Sequence, residues 1–122
     1  MLKNILLILF SVSLAVFGQV FLKKGMLDIG EIPFNLGTPV FLLGKVFSNI
    51  KLFVGFFLFA LSSVAWLVVL SRVDLSFAYP MVSTGYVLTV LISWKYLGES
   101  VSPARWLGVV IICIGVVVLS RS

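Results

Sequence analysis

Residues 52–70 read LFVGFFLFALSSVAWLVVL, nineteen residues without a charge, set between Lys51 on one side and Ser71-Arg72 on the other. A bilayer's hydrocarbon layer is about 30 Å thick, and about 20 helical residues cross it. Ser62 and Ser63 are the run's only hydroxyls. The stretch reads as a membrane-spanning helix, and the rest of the chain follows from it.

Three further apolar runs have the same form. Residues 4–22 are closed by Lys23-Lys24, residues 75–94 end at Lys95, and residues 104–119 end before Arg121. Met1-Leu2-Lys3 imitates the start of a secretory signal, and Ser13-Leu14-Ala15 could pass for its cleavage site. A signal's apolar stretch is only about 7–15 residues long, so the longer first run is expected to be a retained helix. Residues 23–51 form the one long connection, broken by Gly25, Gly30, Pro33, Gly37 and Pro39. Within it, residues 40–50 are apolar again but too short to cross, which predicts an interfacial helix or an early start to the next span. Only Ser71-Arg72-Val73-Asp74 separates the second span from the third, so these two are expected to be antiparallel neighbours. Ser102 is placed to cap the last span, with Pro103 at its first helical position. The fold class is an all-α integral membrane protein, a single domain over residues 1–122.

Composition agrees. Of 122 residues, 61% are apolar and 11% charged, and the mean hydropathy is +1.26. Soluble domains average about 45–50% apolar and about 25% charged residues. So few polar groups cannot wet a globule this small, which excludes a soluble enzyme. The single cysteine, Cys113, excludes an intrachain disulfide, and without histidine the commonest metal ligand is missing. No cofactor or metal is expected. The net charge of +5 falls in loops, where it favours anionic lipid headgroups rather than nucleic acid. Lys3, Arg72 and Arg121 lie on the side of the termini; Lys23, Lys24, Lys45, Lys51, Lys95 and Arg105 lie on the other. That bias puts the first and third loops in the cytoplasm.

No Asp, Glu, Lys or Arg stands in the interior of a span. Ionisable residues at membrane depth are the usual mark of proton and cation pathways, so that chemistry has no obvious carrier. Asp74 reads as a helix cap and Glu99 as a turn residue. The third span holds the polar groups instead. At 100° per residue, Ser76, Tyr79, Ser83, Tyr86, Thr89 and Ser93 fall within roughly 140° of arc. This stripe either faces a substrate or bonds its own backbone and neighbouring helices. Pro80 and Gly85 make the same span a candidate hinge, or fix a static bend. Gln19 is the one carboxamide inside a span and needs a partner or a wet cavity. Trp66 shares a face with Ser62 and is either a groove residue or an interface anchor. Gly108 and Gly115, seven residues apart, leave a smooth face on the last span suited to helix contact. Four helices have little room for a substrate cavity, and two copies would provide one, which points to a dimer.

These residues resemble the small multidrug resistance proteins and the EamA-like members of the drug/metabolite transporter superfamily. Residues 72–80, RVDLSFAYP, resemble that superfamily's segment between helices two and three; Leu97-Gly98-Glu99 with Arg105-Trp106-Leu107-Gly108 resembles its entry to the last helix. Gly108 and Gly115 occupy the places of the glycines through which small multidrug resistance helices dimerise. Proton-coupled exporters of that kind carry a glutamate in the first helix, and aligning their glycine with Gly18 puts Ala15 there instead. Gly18-Gln19 followed by Lys23 is similar to the subunits proposed to flip undecaprenyl-phosphate aminoarabinose, which also lack the glutamate.

The resemblance implies a dimeric transporter or flippase in a prokaryotic inner membrane, working by alternating access as a homodimer or with a paralogue. Its substrate would be a polyprenyl-phosphate sugar or a similar amphipathic lipid. Gln19, Trp66, Tyr79, Ser83 and Tyr86 would line the substrate groove, with Lys23, Arg72, Lys95 and Arg105 as candidates for the headgroup phosphate. Export of an organic cation, with Glu99 or Asp74 coupling, is the alternative; a non-transporting assembly subunit is another.

Overall fold

The computed structural model describes residues 2–122; Met1, the first residue of the signal-like start, lies outside them. The chain forms α1 (Leu2–Ile29), α2 (Thr38–Ser48), α3 (Ile50–Arg72), α4 (Leu75–Met81), α5 (Ser83–Lys95) and α6 (Pro103–Ser120). Among the described residues, four helical stretches are long and apolar enough to cross a membrane: α1, α3, α4 with α5, and α6.

One boundary differs from the sequence expectation. The first helix does not stop near residue 22 but continues through Lys23-Lys24 to Ile29. Lysines limit how much of a helix sits in hydrocarbon, yet they are good helix formers. What ends α1 is Gly30, whose φ of 92° is open to glycine, and whose N–H still reaches the Met26 carbonyl. The long connection therefore shrinks to residues 30–37 plus α2. That helix is separate from α3 because Asn49 stands between them, extended, its side chain accepting from the Lys51 and Leu52 N–H groups.

α1 and α3 pack along their whole length, and small residues make that possible. A Cβ added at Gly18 would lie 2.9 Å from the Gly55 carbonyl oxygen, and one added at Gly55 equally close to that of Gly18. Further along, Gly25 lies against Leu52. At the other end Ser11 Oγ donates to the Ser62 carbonyl (2.9 Å) while Ser62 Oγ donates to the Ser11 carbonyl (2.8 Å). Each hydroxyl thereby avoids an unpaired position in a buried, apolar contact. Ile8, Val12, Val16, Val69, Ala78 and Met81 form the core around it.

The third span is broken. Pro80 has no N–H to give the Ser76 carbonyl, and the chain tightens around Val82, where Val82 N–H reaches Tyr79 and Gly85 N–H reaches Val82. These bonds span three residues, the pattern of a 3₁₀ turn. α5 then packs on α1 and α6, with Gly85 against Val12 and Val16. The second and third spans are antiparallel, but they are not neighbours along their length. α3 meets the third span through α4, and beyond that point α1 lies between α3 and α5.

Candidate functional site

The divergence of α3 from α5 opens a groove floored by α1. Its volume is 610 Å³, and it runs along one side of the bundle. Ala15 and Gln19 form part of the floor, Ser63 and Trp66 stand on the α3 wall, and Tyr79 and Tyr86 stand on the opposite wall. Both tyrosines are largely exposed, at 66% and 57%. Among the described residues, no Asp, Glu, Lys or Arg lines the groove.

Contacts between helices set the level of each residue. Ser11 is level with Ser62 through their hydrogen bonds, Gly18 with Gly55, and Gly85 with Val12 and Val16. Counting from these points at 1.5 Å per residue, Trp66 and Tyr79 share one level toward the termini. Gln19 and Thr89 share another, about 18 Å away along the helix axes. Tyr86 stands between, beside Ala15. Several hydroxyls in this space are already used. Ser63 donates to Phe59 and Thr89 to Gly85, each on its own helix. The polar atoms left for a ligand are the Gln19 carboxamide, the Trp66 indole N–H and the two tyrosine hydroxyls, which can donate and accept without carrying charge.

Of the residues singled out from sequence, Gln19, Trp66, Tyr79 and Tyr86 come together here. Ser83 does not. It lies behind the groove, in a shallow pocket with Pro80 and Gly115 beside α6. The reason is rotational: Gly85 must face Val12 and Val16, which turns Val82, Gly85 and Tyr86 into the groove and leaves Ser83 on the α6 side. Ser76 is also outside, near Arg72 and Ser122 at the terminal end. Sequence reading treated the six hydroxyls as one stripe because it had no way to know which arc met α1. It also missed Phe59 and Val82 as groove walls and Gly55 as the partner of Gly18. A glycine inside an apolar span was the available signal for the last.

The four candidate phosphate residues divide between the two ends. Lys23 stands one turn beyond Gln19 on the extended α1, with Lys95 at the end of α5 and Arg105 in the first turn of α6. Arg72 closes α3 at the opposite end. Ser102 Oγ accepts from Arg105 N–H and caps α6. Asp74 occupies the cap position before α4, but its carboxylate makes no capping bond. Pro80 and Gly85 flank the Val82 break. Gly108 and Gly115 face open space, since a Cβ added at either meets nothing within 4 Å.

Four apolar spans carrying a laterally placed groove of uncharged polar and aromatic groups define a multi-pass membrane protein of the transporter class. The chain belongs to the EamA-like transporter family, whose sequence model matches residues 2–121. It is 31% identical over 108 residues to a protein of Salmonella paratyphi C described as "Probable 4-amino-4-deoxy-L-arabinose-phosphoundecaprenol flippase subunit ArnE", covering 86% of this chain and 97% of that one. The protein of the same description from Salmonella newport is 41% identical over 59 residues, 48% of this chain and 53% of that one. No solved structure matches the chain.

Proposed function

We propose that this chain is a flippase subunit of the inner membrane that moves a polyprenyl-phosphate-linked sugar, its single transmembrane domain guiding the polar head along the groove while the lipid tail stays in the bilayer. The observation that carries the reading is the groove's lining: Ala15 sits at mid-depth, with Gln19, Trp66, Tyr79 and Tyr86 around it and no carboxylate. Such a surface hydrogen-bonds a sugar and holds no carboxylate that could exchange a proton for a cation. The ArnE relatives support the substrate class by their description as aminoarabinose-phosphoundecaprenol flippase subunits. Lys23, Lys95 and Arg105 would meet the phosphate at one membrane surface and Arg72 at the other, with the Val82 break, flanked by Pro80 and Gly85, as the flexible point.

The test is transbilayer movement of a fluorescent short-chain polyprenyl-phosphate sugar in liposomes holding only this protein. Movement above empty liposomes is expected, with Tyr79→Ala and Tyr86→Ala each slowing it by about tenfold, the worth of roughly one charge-free hydrogen bond with its stacking surface. Unchanged rates in both correctly inserted variants would remove the groove from the pathway.

The word subunit in the relatives' description supports a partner as well. The open face of α6 at Gly108 and Gly115 suits a second four-helix chain, either a copy or a paralogue. Gly108→Leu with Gly115→Leu is expected to abolish association in detergent, read by light scattering, while the helical content of the monomer stays the same. An equal dimer fraction in parent and variant would place the interface elsewhere.

A further inference from the structure

Helix α2 has no role in the groove, and its outer face has no cover among the described residues. Leu36, Val40, Leu43 and Phe47 follow one another at intervals of four, three and four residues, so they form one stripe along the helix and its approach. They are 100%, 75%, 62% and 74% exposed, and Phe34 just before them is 99% exposed. The helix touches α3 across the Asn49 break, where the Phe47 and Phe53 ring centroids lie 6.5 Å apart, and Lys45 stands on the side of α2 opposite the stripe. At eleven residues α2 is too short to cross a bilayer.

We infer that α2 is a lipid-docking helix, lying at the membrane surface with its Leu36–Phe47 stripe in an anionic phospholipid leaflet. Three observations select lipid over a protein partner. The stripe is continuous with the apolar outer surface of α3, where Phe53, Phe56 and Phe57 are exposed. The end of the bundle that carries α2 also holds Lys23, Lys24, Lys45, Lys51, Lys95 and Arg105, against the acids Asp28, Glu31 and Glu99. Of those acids, Asp28 is already paired with Lys51 at 2.9 Å. Lys45, the only charge on α2, holds its ammonium 5.4 Å from the Phe41 ring centroid, an aromatic and cationic pairing suited to the headgroup layer.

The full chain in vesicles tests this. In a Cys113→Ala background, Leu43→Cys carries an environment-sensitive fluorophore. The vesicles mix phosphatidylcholine and phosphatidylglycerol, and a quencher is attached to one lipid or the other. Quenching by lipid, protection from aqueous iodide and a preference of about fivefold for the phosphatidylglycerol quencher are expected. In Lys45→Gln that preference is expected to fall severalfold while the protection persists. Quenching by iodide would put α2 in water and overturn the assignment. Resistance to both quenchers would show a protein cover, a second copy or another chain, and overturn it too. Equal quenching by the two lipids, or a preference untouched by Lys45→Gln, would overturn the anionic part.

Discussion

Ala15→Glu is expected to suppress movement of a phosphate-linked sugar by tenfold or more, whereas Ala15→Gln retains most of it. The two variants have nearly the same size and differ in charge. Ala15 lies on the groove floor beside Tyr86, near mid-membrane, where no water layer screens a carboxylate from a passing phosphate. Like charges brought together in such a place cost several kcal/mol, and about 1.4 kcal/mol is already a factor of ten in rate. The liposome assay reads both variants. Equal loss in glutamate and glutamine would mean that bulk, not charge, blocks the groove. Full activity in the glutamate variant would remove Ala15 from the substrate's path and reopen the cation reading.

Gly55→Val is expected to be the most damaging single change to the fold. A Cβ at residue 55 would sit 2.8 Å from Leu22 side-chain carbons and 2.9 Å from the Gly18 carbonyl oxygen. The leucine can turn aside, but the carbonyl belongs to the α1 backbone and moves only if the helices part. Parting them stretches the Ser11–Ser62 hydrogen-bond pair as well. Overpacking of this kind costs about 1–3 kcal/mol, to be read as a shifted midpoint of reversible unfolding in mixed detergent and dodecyl sulfate micelles. Gly108→Ala is the control. Its Cβ meets open space, and alanine in a helix is worth up to about 1 kcal/mol over glycine, so the monomer should unfold at the same point or later. If Gly55→Val unfolded with the parent, the α1–α3 contact would be looser than the packing implies.

Much of this architecture is legible in the order of the residues alone. Four runs of adequate length, each ended by lysine or arginine, settle a four-span membrane protein, because hydrocarbon tolerates only closed backbone hydrogen bonding and few charges. Ser102 and Pro103 were readable as a helix start, since capping is local chemistry. The absence of an ionisable residue inside a span was readable too, and it bears on function more than any motif present. Gln19, Trp66, Tyr79 and Tyr86 could be picked out as polar groups that a span would not carry without cause.

Which of them meet depends on how the helices pack. Periodicity gives the angle between residues on one helix, but not the rotation of that helix against its neighbours. That rotation is fixed by close contacts, Gly85 on Val12 and Val16, and Gly18 on Gly55, between residues far apart in sequence. It sends Ser83 toward α6 and Tyr86 into the groove. The groove itself arises where α3 and α5 part on either side of α1, and a cavity between helices has no counterpart in the pattern of any one of them.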